Sequence, residues 1–144
     1  MEEEKIRVKI LRNAHHLYLA TPILGYVTYA MFRVSLGVIL PEIQRYYSIS
    51  DVEAGLIISL GSATITVFIL YGGHLSDKIG VTSSFLLGVS LLILSLTLFS
   101  FASNLWIFLF LLLLSGVGGG ILIPAVYTWV GEAATTHRGL SIGV

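Results

Sequence analysis

The stretch Gly72-Gly73-His74-Leu75-Ser76-Asp77-Lys78-Ile79-Gly80 joins two long apolar runs of this chain, at about residues 52–73 and 81–101. A helix rises about 1.5 Å per residue, so about 20 apolar residues cross a hydrocarbon core about 30 Å thick. Each run reaches that length. The sequence therefore predicts two membrane-spanning helices, joined by a short polar loop at residues 75–80.

Two further apolar runs have the length of a membrane span. The four predicted spans cover about residues 17–40, 52–73, 81–101 and 105–130, and a fifth begins near residue 139. Residues 1–16 form a polar tail, either solvated or lying as a short amphipathic helix on the membrane surface. Residues 17–144 form one transmembrane domain. The predicted fold class is all-α, a polytopic membrane helix bundle.

Composition excludes several classes of function. Hydrophobic residues make up 56% of the chain and charged residues only 11%, whereas soluble domains have about 25% charged residues. The lipid bilayer is therefore the predicted partner of most of the surface. A formal net charge of zero indicates no nucleic-acid partner. The absence of cysteine excludes disulfides and thiolate metal sites.

No enzyme site is predicted. The loops between the spans are too short for a soluble catalytic domain, and no serine or threonine pairs with a histidine in a pattern typical of a triad. The run Gly118-Gly119-Gly120 lies within an apolar span and does not follow a strand, so it is no phosphate-binding loop. We predict no catalytic residue, no metal and no cofactor.

Basic residues are unevenly divided between the two predicted sides of the membrane. One side holds six of them: Lys5, Arg7, Lys9, Arg12, Lys78 and Arg138. The other side holds Arg45. Because cytoplasmic loops carry the excess of lysine and arginine, the sequence predicts a multi-pass protein of the cell membrane with its N-terminus in the cytoplasm.

Arg33 is the one charged residue well inside a predicted span. An intramembrane arginine costs at least about 2.5–3.5 kcal/mol on insertion scales and usually faces a bundle interior or an aqueous cavity. Tyr26 and Tyr29 precede it at helical spacing, so the three share roughly one face. We predict a substrate site there, with a guanidinium and phenol hydroxyls for an organic anion. Two structural alternatives remain: snorkelling to the outer interface, or a bond to backbone carbonyls.

Small residues mark predicted helix contacts. Span four contains Gly116-x-x-x-Gly120, with Pro124 one turn later. Glycines at this spacing let helix backbones approach closely, so we predict tight packing there and a bend at Pro124. A second contact face is predicted on span two, at Gly55, Ser59 and Ala63.

The loop after the second span resembles a signature of the major facilitator superfamily (MFS) of secondary transporters, G-x-L-[AS]-D-[RK]-x-G-[RK]-[RK]. The matching residues are Gly73, Leu75, Ser76, Asp77, Lys78 and Gly80. Val81 and Thr82 stand where the signature has basic residues, and Leu112 stands where an arginine is often found. The fourth span also resembles that of the family, at Gly116, Gly120, Pro124, Glu132 and Arg138-Gly139.

This resemblance implies transport of a small solute by alternating access. Transporters of this family have two six-helix halves, each with inverted three-helix repeats, so the chain is expected to be an N-terminal fragment that needs a missing C-terminal half or partner chain. In the family the loop aspartate, here Asp77, helps latch the two halves on the cytoplasmic side. We expect Asp77 at a helix N-terminus, where the dipole favours an anion, and Gly80 in a tight turn.

A different class of function also fits the pattern. The chain could be a small membrane scaffold or subunit that assembles through its glycine-rich helix faces and transports nothing. Such assembly would use the same small residues that let helices approach closely within a bundle. The structure bears on this choice because it shows whether those faces are already covered.

Overall fold

The computed structural model describes the backbone of residues 2–141 and the side chains of residues 20–132. It contains four helices: α1 (Glu2–Tyr47), α2 (Asp51–Ile79), α3 (Val81–Phe99) and α4 (Leu105–Ser141). Each includes a segment long and apolar enough to cross a membrane, and the segments are Ala20–Tyr47, Asp51–Ile79, Val81–Phe99 and Leu105–Glu132. The predicted all-α membrane bundle is confirmed.

Short connections make consecutive helices antiparallel neighbours. Residues 48–50 join α1 to α2, Gly80 alone joins α2 to α3, and residues 100–104 join α3 to α4. The bundle therefore has two ends, which we call the Ser50 end and the Gly80 end after the residues in their turns. At the Ser50 end, the side chain and backbone of Ser50 and Glu53 form a reciprocal capping box that starts α2.

The helices extend further than the hydropathy pattern indicates. Residues 41–47, predicted as a loop, belong to α1, because an internal proline such as Pro41 removes only one backbone hydrogen bond and does not have to end a helix. The turn comes instead at Ser48, whose φ is 53°. Residues 2–16 of the predicted tail are also helical, and α4 continues to Ser141, past the predicted loop at 131–138. The fifth span predicted from residue 139 thus begins within α4, and residues 142–144 lie outside the described part.

The predicted loop at residues 75–80 is almost entirely helical, so the expectation for Asp77 is wrong. Asp77 lies in the last turn of α2, where the helix dipole favours cations such as the neighbouring Lys78. Gly80 has φ 87° and ψ 153° and makes the whole turn by itself. The expected turn at Gly80 is present because this backbone region is open to glycine and strained for other residues.

Helix α4 forms the centre of the bundle, with α2 and α3 packed along two of its sides and α1 touching it less extensively. Leu122 and Ala125 of α4 are completely buried. One buried cluster surrounds them towards the Gly80 end and includes Tyr29, Phe85 and Trp129. A second cluster lies towards the Ser50 end, at Leu36, Ile57, Phe108 and Leu112.

Glycines allow the closest helix approaches. A Cβ atom at Gly72 of α2 would lie 2.6 Å from the carbonyl oxygen of Gly120, and one at Gly88 of α3 would lie 2.9 Å from that of Gly118. A Cβ atom at Gly116 would lie 3.1 Å from Thr64 Cβ. Two sides of α4 are therefore held against its neighbours by backbone-to-backbone contact, the arrangement expected where small residues line a helix interface.

The face predicted for packing on α2 is not the one that packs. Gly55, Ser59 and Ala63 are exposed, and a Cβ atom at Gly55 would meet nothing within 4 Å. The buried face of α2 consists of Ala54, Ile57, Gly61, Ile65, Gly72 and Ser76. The two faces differ in register by one or two residues. On the buried face, Ile57 and Ile65 fill the space beside α4, while Gly61 and Gly72 let α4 approach closely.

Candidate functional site

Arg33 is bonded to α2 near the middle of the bundle. Its Nη2 donates a hydrogen bond of 3.1 Å to Ser62 Oγ, and the Ser62 hydroxyl donates one of 3.0 Å to the backbone carbonyl of Ile58. Arg33 itself is half-buried. This bond is notable because α1 and α2 otherwise have few contacts with each other.

The length of α1 changes the depth of Arg33. In the apolar segment Ala20–Tyr47 it lies near the middle, about 20 Å from either end at about 1.5 Å per residue. The bond to Ser62 holds the guanidinium between α1 and α2, which argues against snorkelling. The observed bond goes to a hydroxyl rather than to a backbone carbonyl. Among the residues with described side chains, the ion pair found is Arg45–Glu42 at the Ser50 end, so no described acid neutralises Arg33.

Tyr29 lies one turn before Arg33 but points into the core. Only 7% of Tyr29 is exposed. Its phenol ring rests on Gly119 of α4, so closely that a Cβ atom there would collide with its Cζ, Cε2 and Oη atoms. Tyr29 also lines a small apolar pocket of about 190 Å³ between α1 and α3, and its predicted contact with a substrate stays a prediction.

Tyr26 lies on α1, two turns from Arg33 and towards the Gly80 end. Its ring centroid is 6.1 Å from that of Tyr127 on α4, at an interplanar angle of 51°. Tyr127 is 64% exposed although α4 is the most buried helix. Sequence reasoning missed Tyr127. The available signal was a polar-tipped ring within an apolar run, three residues after Pro124.

These residues form a polar strip on one side of the bundle. The strip consists of Tyr26, Arg33, Ser62 and Tyr127, contributed by α1, α2 and α4. It offers one uncompensated positive charge and two phenol hydroxyls at membrane depth. Such a surface can hold the charged and polar parts of a small anion, because guanidinium N–H groups pair with carboxylate oxygens in a bidentate geometry.

The signature residues follow Ser62 along α2, towards the Gly80 end. Asp77 and Lys78 are exposed, Ser76 is buried, and Gly73 has open space on its Cβ side. Asp77 and Lys78 follow Ser62 by about four turns of α2, which is over 20 Å. Within the described residues there is no cluster of three potential metal ligands. The structure thus separates Arg33 and its partner Ser62 from Asp77 and Lys78, whereas Tyr26 and Tyr127 lie nearer the Gly80 end.

The three predicted packing residues of α4 face α2. Gly116 lies against Thr64, and Gly120 lies against Phe68. Pro124 Cγ would be 3.0 Å from a Cβ atom at Gly72. None of the three belongs to the polar strip.

An apolar groove of about 560 Å³ opens between α1 and α3 at the Ser50 end. Most of its lining is aliphatic or aromatic, including Phe32, Leu36, Phe99 and Phe108, with Glu42 at its polar edge. Arg33 does not line it. The groove and the polar strip are separate features of the bundle.

Comparison with known proteins gives a consistent result. A family model described as the Major Facilitator Superfamily matches residues 23–144. The uncharacterized MFS-type transporter YttB of Bacillus subtilis (strain 168) is 34% identical over 106 residues, which cover 74% of this chain and 26% of that protein. Monosaccharide-sensing protein 3 of Arabidopsis thaliana is 32% identical over 87 residues, which cover 60% of this chain and 12% of that protein. No solved structure matches the chain significantly.

Proposed function

The chain belongs to the Major Facilitator Superfamily, and from that premise we propose that it supplies four spans of a transporter that moves a small solute across a membrane. It is a multi-pass membrane protein whose family points to transport rather than to an enzyme. The chain spans about a quarter of the length of the first relative, YttB. The proposal therefore concerns the protein in which these four spans work together with further spans.

The substrate proposed is a small organic anion, and Arg33 carries this proposal. A charged residue inside a membrane span costs at least about 2.5–3.5 kcal/mol to insert and usually marks a cavity or pathway. No described acid neutralises Arg33, and Ser62 satisfies one of its N–H groups. The remaining donors are available for a carboxylate, and the hydroxyls of Tyr26 and Tyr127 provide polar contacts nearer the Gly80 end.

Alternating access and a partner half are part of the same proposal. Several large apolar residues of α1, among them Met31, Val34 and Val38, are exposed in the four-helix bundle. Lipid or further spans must cover such a surface. The protein is proposed to lie in the cell membrane with the Gly80 end on the cytoplasmic side, because most of the basic residues lie on that side. Asp77 and Lys78, both exposed at that end, would then latch this part of the protein to the other half.

The scaffold alternative has less support. Assembly through glycine faces needs those faces to be free, but Gly72, Gly88, Gly116, Gly118 and Gly120 are all engaged in contacts inside the bundle. The glycines that remain open are Gly37, Gly55, Gly73, Gly80 and Gly131, and no two of them have the four-residue spacing of a close helix contact. A single assembly face rich in glycine is therefore not available on the described residues.

Uptake by proteoliposomes containing the product of the whole reading frame tests the proposal. The panel includes radiolabelled lactate, succinate and benzoate, and a neutral monosaccharide because one relative is named for monosaccharide sensing. Arg33→Ala should lower carboxylate uptake about tenfold or more, since hydrogen bonds to charged groups contribute about 1.5–3 kcal/mol. Arg45→Ala is the matched control, because Arg45 is exposed and paired with Glu42. Carboxylate uptake unchanged in Arg33→Ala would show that the proposed anion site is wrong.

A further inference from the structure

Resting on the anion site proposed above, we infer that Ser62 is a positioning residue that fixes the Arg33 guanidinium for its substrate. Ser62 lies on α2 and Arg33 on α1, so their hydrogen bond joins the two helices. In this role Ser62 does not need to touch the substrate itself. Its hydroxyl sits 3.1 Å from Arg33 Nη2. The arrangement orients the charge of Arg33 while leaving that charge uncompensated.

The orientation of the Ser62 hydroxyl is set by its own helix. A serine hydroxyl has one proton to donate and lone pairs to accept with. The Ser62 proton is committed to the carbonyl oxygen of Ile58, 3.0 Å away. The lone pairs must therefore face outward from α2, and Arg33 Nη2 meets them. A hydroxyl held in this way is a fixed acceptor rather than a free rotor.

The effect on Arg33 follows from the shape of the guanidinium. The group is planar, carries five N–H donors and has no acceptor. One bond to Ser62 restrains the position of the group and leaves the other donors for a bidentate pairing with a carboxylate. Holding a charged group in a fixed orientation before the ligand arrives lowers the entropy cost of binding.

A neutral acceptor suits this role better than an acidic one. An aspartate or glutamate beside Arg33 would form an ion pair and compete with an anionic substrate. Among the described side chains, Arg33 has no such partner. The serine therefore positions the guanidinium without neutralising it, and the full positive charge remains for the substrate.

Other residues of the bundle provide matched variants. Thr64 and Thr66, on the same helix, donate hydrogen bonds of 2.9 and 3.1 Å to the backbone carbonyls four residues earlier, as Ser62 does. A threonine at position 62 should thus keep the oriented hydroxyl. Ser90 on α3 makes the same backbone bond, 2.7 Å to Leu86 O, and is exposed away from Arg33. Ser90→Ala therefore controls for the loss of a hydrogen bond from a serine hydroxyl to its own helix, without any effect on Arg33.

The first test measures uptake of whichever of lactate, succinate and benzoate the unsubstituted protein carries fastest. We expect Ser62→Ala to raise KM about two- to tenfold, the effect of one hydrogen bond, with kcat nearly unchanged. Ser62→Thr should restore KM, Ser62→Asp should abolish carboxylate uptake, and Ser90→Ala should have no effect. A Ser62→Ala protein with unchanged KM would overturn the inference. So would a Ser62→Thr protein that is as impaired as Ser62→Ala.

A second test needs no substrate. Phenylglyoxal modifies accessible arginines, and its rate of reaction at Arg33 in the purified protein is measured by mass spectrometry. Ser62→Ala should speed that reaction about two- to tenfold by releasing the guanidinium, and Ser62→Thr should not. An unchanged rate in Ser62→Ala would contradict the inference. The two proposals can be tested separately. Intact carboxylate uptake in Arg33→Ala would show that the anion site is wrong. Reduced uptake in Arg33→Ala, with no effect of Ser62→Ala, would show that only the role of Ser62 is wrong.

Discussion

The phenol ring of Tyr29 lies directly on the backbone of Gly119, and this contact joins α1 to the central helix α4. Tyr29 is buried, and a side chain of any size at position 119 would overlap its ring. The polar strip of Tyr26, Arg33, Ser62 and Tyr127 depends on the position of α1. The Tyr29–Gly119 contact therefore helps to fix the position of the strip residues of α1 against α4, together with the packing of Leu36 and Tyr47 against Phe108.

The first prediction concerns Gly119→Ala. The added methyl group should lower the stability of the folded protein by about 1–3 kcal/mol, the usual cost of overpacking, and should lower the thermal unfolding midpoint in detergent. Gly131→Ala, on the same helix with open space around its Cβ, should leave the midpoint nearly unchanged. Combining Gly119→Ala with Tyr29→Ala should cost less than the sum of the two single changes. Simple additivity of the two would contradict a direct clash.

The second prediction compares two adjacent glycines. A Cβ atom at Gly72 would lie 2.6 Å from Gly120 O, whereas one at Gly73 would meet nothing within 4 Å. Gly72→Ala should therefore destabilise the bundle by forcing α2 away from α4. Gly73→Ala should be neutral or stabilising by up to about 1 kcal/mol, because alanine favours helix more than glycine does. Equal unfolding midpoints for the two variants would show that α2 and α4 are not in the close contact described.

The third prediction concerns Gly80→Ala. With φ 87° and ψ 153°, Gly80 occupies a backbone region that costs other residues about 1–3 kcal/mol. We expect a corresponding loss of stability, although the position is exposed and sterically open. Gly55→Ala is the control, being an equally open glycine inside a helix. If thermal unfolding shows the two variants equally stable, the turn does not require glycine.

The fourth prediction concerns Asp77→Asn, which should affect transport but not the stability of the fold. Asp77 is exposed in the last turn of α2, so Asp77→Asn should change the unfolding free energy by no more than about 0.5 kcal/mol. If Asp77 latches the two halves of the transporter, the same change should lower the uptake rate and shift the balance of inward- and outward-facing states. Cysteine accessibility from each side of the membrane reports that balance. Unchanged uptake and unchanged cysteine accessibility would show that Asp77 does not latch the two halves.

Hydropathy predicted the number of spans but not their ends or their contact faces. In a membrane, lipid tails are as apolar as leucine, so apolar residues cover the lipid-facing side as well as the core. Val34 is 70% exposed and Leu122 is 0% exposed, although both are aliphatic residues in apolar runs. The sequence contains no alternation that would distinguish them. For the same reason Tyr29, predicted to line a cavity, could not be told from a core residue.

Small residues carried more information about packing, with one limit. Gly116 and Gly120 lie at the α2–α4 contact, where their four-residue spacing indicated close packing. Gly55, Ser59 and Ala63 have the same spacing but face outward. The four-residue spacing of small residues marks a face on which another helix can pack closely. Whether a helix does pack there depends on the residues of the partner helix. The roles of Tyr127 and Ser62 depend on their contacts with Tyr26 and Arg33 on another helix. The sequence pattern of a single helix does not contain such contacts.

The one-residue turn at Gly80 has a mechanical consequence. With no slack between them, α2 and α3 cannot slide past each other, and glycine contacts at Gly72 and Gly88 clamp both against α4. Three helices thus form one stiff block. Helix α1 is the remaining element, and it touches α4 less extensively than α2 and α3 do. It is held by the Tyr29 ring, by the bond from Arg33 and, at the Ser50 end, by the packing of Leu36 and a hydrogen bond from Tyr47 to the Ala102 carbonyl. A carboxylate that binds the donors left open by Ser62 therefore acts on the helix with the least contact to α4, so α1 is the helix we expect to move when the substrate binds.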